Sequence, residues 1–226
     1  DIADEHFNRA LELADRVGAH RETALAREFL AEVSLDRGHP TDALALLEPA
    51  LEDARISAPQ GDLVMELENR VGLALLHLGR TADAQDHLLC GLALSERLGD
   101  RLEQAVAGRS LARLDAMRGN TTGLELKIRA SAQGFEELNE NYELATTLAT
   151  WGELLLLLPA GQRLRFPLEP VADAARRAAV LFRELGVVAL AADSILTLAR
   201  LEAEREHFVH AAALVEQAEQ WLREAG

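Results

Sequence analysis

The sequence predicts an all-α protein: a solenoid of antiparallel helix hairpins with eleven helices. Three observations point there. A glycine-type helix ending recurs at near-constant spacing through all 226 residues, small residues recur at fixed offsets within each copy, and no stretch shows the period-two alternation of a strand.

The recurring ending is seen in "SERLGD" at 95–100, "FEELNE" at 135–140 and "FRELGV" at 182–187. Aligned on its last pair, Val17-Gly18, Ser57-Ala58, Leu98-Gly99, Leu138-Asn139, Leu185-Gly186 and Ala225-Gly226 form one column, with steps of 40, 41, 40, 47 and 40 residues. Glycine or asparagine after a helical run suits a left-handed C-cap, where a Cβ is penalised. Each copy therefore ends a helix.

Further columns fix the register. Thirteen or fourteen residues after each cap stand Ala31, Gly72, Ala112, Gly152 and Ala199, preceded by Leu30, Val71, Leu111, Trp151 and Leu198 as core anchors. Seven residues later come Gly38, Gly79, Gly119, Pro159 and Glu206, four of them turn formers. Ala43, Ala84 and Ala211 then open a second helix, with Leu124 and Val171 in the same column. Thr81 and Thr121 are expected N-caps, and Asp42 and Asp83 fall in a first turn where the helix dipole favours anions. Small residues at these points let paired helices approach closely. The pattern gives a lone helix near 2–17 and hairpins near 19–57, 61–98, 100–138, 140–185 and 187–225.

The 47-residue step marks an insertion, "PAGQRLRFPLEP" at 159–170. Its prolines and glycine predict an ordered loop rather than helix. It is either a docking loop presenting Arg163, Arg165 and Phe166 or a tolerated surface insertion.

A small residue followed by a turn at seven on, alanine at twelve on and another small residue at nineteen on resembles the tetratricopeptide (TPR) pattern. Ala31, Gly38, Ala43 and Ala50 carry it in one unit, and Gly72, Gly79, Ala84 and Gly91 in the next. The period here is near 40 rather than the usual ~34, the closing proline and the usual tyrosine are absent, and the "LGD" endings are similar to those of bacterial multidomain signalling and transcription regulators. The resemblance implies a right-handed superhelix over the whole chain: a half repeat at 1–18, then repeats at 19–58, 59–99, 100–139, 140–186 (with the insertion) and 187–226. A start halfway through a repeat, at Asp1, and an end without a capping helix predict a fragment of a longer protein, or ends that self-associate through Phe7, Leu11, Val17 and Trp221.

Bulk composition narrows the function. A formal charge of −15 disfavours nonspecific attraction to nucleic acid or anionic membrane, so a basic DNA-reading module is excluded as an expectation. Apolar residues at 49% and charged ones at 27% are globular composition. Leu154–Leu158 and the other apolar runs are far too short to span a bilayer, and the opening residues carry no signal-peptide pattern. Cys90 is the single cysteine, expected to pack as a small hydrophobe, and it leaves no disulfide framework or thiolate metal site. The expected compartment is cytoplasmic.

No phosphate loop, nucleophile elbow or zinc-protease helix occurs, so no catalytic residue, cofactor or metal is expected. His207 and His210 beside Glu204 and Glu206 are too few fixed ligands for a metal. The run "WGELLLLLP" at 151–159 is apolar all round a helix, so part of it is core, while Leu156 and Leu157 turn to the inner groove in a TPR register.

In TPR proteins the groove is lined from the first helix of each hairpin. The resemblance places there Glu28, Glu32 and Asp36; Asn69, Leu73 and His77; Arg109, Arg113 and Met117; Ala149, Glu153 and Leu157; and Leu196, Arg200 and Glu204. The chaperone-type carboxylate clamp is not reproduced, since Asn69 alone has a matching type. Arg109 and Arg113, four apart, would form an anionic subsite between Asn69 and Glu153, or would be neutralised within the solenoid. The expected function is a noncatalytic protein- or peptide-binding scaffold, its partner carrying an acidic segment. The alternatives are a small-molecule sensor and a structural oligomerisation arm.

Overall fold

A computed structural model describes the backbone of residues 2–225 and the side chains of 5–225. All regular structure among the described residues is helical: α1 (Ile2–Val17), α2 (His20–Asp36), α3 (Pro40–Ser57), α4 (Asp62–His77), α5 (Thr81–Leu98), α6 (Arg101–Met117), α7 (Thr121–Leu138), α8 (Asn141–Leu157), α9 (Ala160–Arg163), α10 (Glu169–Glu184), α11 (Val188–Ala203) and α12 (Phe208–Ala225). These are twelve helices rather than the expected eleven. The additional one, α9, is a single turn inside the insertion that the sequence predicts as loop. Pro159 sits before its first residue, where a missing N–H costs nothing.

The chain divides into two compact units, Asp1–Leu114 and Asp115–Gly226. In the first, α1 packs on α2, α2 on α3, α3 on α4 and α4 on α5. Its core is built from Ala24, Ala31, Ala43, Leu47, Ala50, Met65, Leu67 and Leu88, all fully buried. In the second, α7 packs on α8, α8 on α10, α10 on α11 and α11 on α12. Leu124, Phe135, Leu154, Leu155, Val171 and Leu198 fill its core. Removing each such side chain from water contributes roughly 1.5–3 kcal/mol, and this burial rather than helix propensity holds the hairpins together.

The small-residue columns let helices touch, within the hairpin at Gly72 and against the first helix of the next hairpin at Gly152. A Cβ added to Gly72 on α4 would stand 2.6 Å from Leu88 Cδ2 on α5, and one on Gly152 of α8 would stand 2.9 Å from Thr197 Cγ2 on α11.

The cap column is left-handed at Gly18, Gly99, Asn139 and Gly186, with φ of 67°, 72°, 60° and 77°. Gly226 lies outside the described residues. Ala58 departs from the column: it is extended, with φ −155° and ψ 94°. Its Cβ disfavours the left-handed region, and the following Pro59 pushes it towards extended backbone. In the turn column Glu206 takes φ 64° without being glycine.

The final aspartate of "LGD" has its own task. Asp100 Oδ1 accepts from the Glu103 backbone N–H at 2.9 Å, so Gly99 stops α5 while Asp100 caps α6. The N-caps of α5 and α7 lie one residue earlier than expected, at Arg80 and Asn120, with Thr81 and Thr121 already helical. Only Asn120 of these two caps with its side chain, accepting from Gly123 N at 3.1 Å.

A Cβ at position 99 would meet no atom within 4 Å beyond its chain neighbours, so Gly99→Val tests chiefly the backbone. It is expected to destabilise by about 1–2 kcal/mol. An unchanged thermal midpoint would contradict the left-handed cap.

Candidate functional site

The densest set of ionisable groups lies on the first helices of the hairpins in the unit Asp1–Leu114. Glu66, Arg70, Leu73 and His77 follow one another at four, three and four residues along α4 and share one helical face. Arg70 Nε donates to Glu32 Oε1 on α2 at 2.8 Å and lies 3.0 Å from Glu28 Oε1 on the same helix. Arg70 Nη1 is 3.8 Å from Glu103 Oε1 on α6. One guanidinium therefore lies within 4 Å of three carboxylates, those of Glu28, Glu32 and Glu103, and interacts through charge with a fourth, Glu66, one turn back on α4.

Their surroundings differ. Glu28 and Glu103 are buried, at 2% and 5% exposure, whereas Glu32 and Glu66 are half-buried at the mouth. Burial pushes the Glu28 carboxyl up to about 7; Arg70 opposes this, and Glu66, Glu32 and Glu103 add to it. Glu66 is raised for the same reasons, burial first, with Glu103 adding to it and Arg70 opposing. Asp36, at the end of α2, is raised by burial and then by Glu32. Glu28 Oε1 accepts no hydrogen bond. The cluster holds more negative charge than its own cation neutralises.

Glu103 is fixed from below. Asn69 Nδ2 donates to Glu103 Oε2 at 2.7 Å, and Asn69 is itself 1% exposed. A separate network on the other side of α4 joins Arg55 Nη2 and His87 Nδ1 to the two oxygens of the buried Glu68, at 2.8 and 2.6 Å. Although burial pushes Glu68 up, those two partners hold it below its ordinary value.

The sequence-predicted groove residues thus occupy different situations. Glu28, Glu32 and Asn69 enter the cluster, while Leu73 is half-buried and His77 exposed one and two turns further along α4. Although its surface is exposed, partial desolvation and then the charge of Arg113 hold His77 below its ordinary value. Arg109 and Arg113 are half-buried and each is already engaged with neighbouring groups. In the unit Asp115–Gly226, Leu157 is 46% exposed while Leu154, Leu155 and Leu158 of the same run are buried. Glu153 and Arg200 are exposed, and Glu153 is engaged. Arg70, Glu66 and Glu103 are the residues that the register did not select.

The three loop residues also part company. Arg163 grips Glu204 with two nitrogens, at 2.6 and 2.9 Å, and donates to the carbonyls of Leu156 and Leu158 at 2.9 and 3.0 Å. It therefore closes the end of α8. Arg205 donates to the carbonyls of Arg163 and Phe166, at 2.9 and 3.0 Å, and Phe166 is 8% exposed. Arg165 remains exposed and lines an open recess of 620 Å³ with Thr121, Leu126, Arg129, Phe166 and Pro167.

His207 and His210 both turn Nδ1 to the buried Glu202, at 2.7 and 3.0 Å. Among the described residues, no group of three or more His, Cys, Asp or Glu side chains is placed to hold a metal ion. Cys90, expected to pack as a small hydrophobe, is exposed on α5. No helix among the described residues is long and apolar enough to cross a membrane.

Comparison with solved structures settles the fold. The chain is similar to BtubC (BKLC) from P. vanneervenii, with TM-score 0.74 and 18% identity, covering 98% of this chain and 90% of that one. It is a TPR-like helical-repeat fold. The nearly identical TPR-like repeats of a putative kinesin light chain from Podosopora anserina are similar too, in two crystal structures with TM-scores of 0.63 and 0.62 at 13% identity, covering 88% of this chain and 94% of theirs. No protein-family model matches the sequence, and no curated protein matches it. TPR-like repeats are commonly noncatalytic scaffolds for protein–protein interaction.

Proposed function

We propose that the chain is a noncatalytic scaffold that holds a protein or peptide segment along the first-helix face of its repeats, as an interaction module of a larger bacterial signalling or transcription regulator working in the cytoplasm. The observation that carries the reading is the α4 face itself. Glu66, Arg70, Leu73 and His77 set charge, an apolar side chain and an imidazole in a row that an extended segment can follow. The recesses among the described residues of each unit are open to solvent, which suits a segment better than an enclosed small molecule. The regulator assignment rests on the ~40-residue period and the "LGD" endings.

Panning a random displayed-peptide library against the protein is the test. Enriched segments should lose binding to Leu73→Glu while the thermal midpoint stays within about 2 °C, as for a surface change. An enriched set indifferent to position 73, or no enrichment, would remove the reading.

A further inference from the structure

We infer that the scaffold's α2–α4–α6 cluster is a subsite for a cationic side chain of the partner segment, with an apolar side chain of the same segment seated at Leu73. This deepens the scaffold reading and rests on it.

Glu28, Glu32 and Glu103 lie within 4 Å of a single guanidinium and Glu66 adds its charge from one turn back on α4, so the subsite carries net negative charge with Arg70 in place. Arg70 is the only arginine or lysine of α4. The second observation is Glu28 itself: it is 2% exposed, its carboxylate faces Arg70, and its Oε1 accepts no hydrogen bond. A buried carboxylate oxygen whose only recorded partner is an ion pair without hydrogen-bond geometry is costly, and an added positive charge nearby offsets that cost. Glu32 and Glu66 are the oxygens a partner can reach, and an arginine or lysine can bond them while Glu28 and Glu103 add field from beneath.

Spacing narrows the segment further. Glu66 to Leu73 is seven residues of helix, roughly 10 Å of axis at 1.5 Å per residue. An extended chain covers that in about three residues. The segment therefore carries a basic residue and an apolar residue about three positions apart. Such a ligand differs in sign from an acidic segment held by Arg109 and Arg113, which are already engaged.

The test uses three displayed libraries with leucine fixed at one position and arginine, glutamine or glutamate fixed three residues away, in both orders, panned against the intact chain. The arginine library should yield binders at least tenfold tighter than the other two. Those binders should weaken at least tenfold against Glu32→Gln combined with Glu66→Gln, and should weaken as sodium chloride is raised. Equal or better binders from the glutamine or glutamate libraries, still sensitive to Leu73→Glu, would overturn the cationic subsite and leave the scaffold reading standing. Binders from none of the three, alongside none from the random library, would overturn both. If the double variant lowers the thermal midpoint, the ranking of the libraries on the unaltered chain still decides.

Discussion

Replacing Arg70 by methionine is expected to destabilise the unit Asp1–Leu114 by about 3–5 kcal/mol at pH 8, and by less at pH 5.5. Methionine keeps much of the packed stem but leaves Glu28 and Glu103 buried without their nearby cation. Glu28 is already raised from 4.5 to about 7 in the folded chain. Between those values the folded state holds a proton that the unfolded state has lost. The stability tied to that proton is complete below about 4.5 and is lost as pH rises through about 7. Without Arg70, the one group that lowers Glu28, the folded value climbs further and the window extends upward. At pH 5.5 Glu28 is largely neutral in both proteins, so the cost shrinks. Glu68, shifted in the opposite direction by His87 and Arg55, is untouched by the substitution and drops out of the comparison. Trp151 and Trp221 both lie in the unit Asp115–Gly226, so tryptophan fluorescence follows the wrong half. Urea titration by circular dichroism, with hydrogen exchange read on α2 and α4, reports on the right one. An equal loss at the two pH values would refute the buried-charge account.

The repeat was legible in the sequence because its signals are local. A left-handed cap selects glycine or asparagine whatever surrounds it, so Gly99 and Asn139 announce themselves. Ala58 broke the pattern through an equally local cause, the proline after it. The carboxylate cluster was legible only in part. Glu28, Glu32 and Asn69 fell on the TPR-like groove register, but that register samples each first helix at three positions near the small residue. Glu66 and Glu103 stand nearer their helix N-termini, and Arg70 is adjacent to a sampled position. The i,i+4 spacing of Glu66 and Arg70 was the available signal. That Arg70 serves carboxylates of α2 and α6 as well depends on how the helices lie against each other, which no single-helix pattern records. The loop teaches the same lesson: Arg163 and Phe166 are consumed by α8, α11 and Arg205, partners some forty residues apart in sequence for Glu204 and Arg205.

Gly91→Ala is expected to be among the most damaging small substitutions in the chain, costing about 3–5 kcal/mol through overpacking and a lost buried hydrogen bond. A Cβ at position 91 would stand 2.1 Å from Asn69 Oδ1, 2.7 Å from its Cγ and 3.2 Å from its backbone nitrogen. The amide has no room to slide, since Asn69 is 1% exposed and its Nδ2 is bonded to Glu103. Adding one methyl group on α5 therefore forces either α5 away from α4 or the Asn69 side chain out of its place. Either movement releases Glu103 and disturbs the carboxylates around Arg70. Glycine here is a clearance rather than a turn, which is why the nineteen-on column of the repeat carries a small residue. A double-mutant cycle isolates this contact. Asn69→Ala removes both of the nearest clashing atoms and leaves the backbone nitrogen, at 3.2 Å, as the next nearest. The double variant should accordingly be more stable than the two single losses predict, by about 1–2 kcal/mol of coupling. Additive losses would mean that the damage of a side chain at position 91 does not run through Asn69. In that case the link from helix clearance to the carboxylate cluster would be broken at its first step.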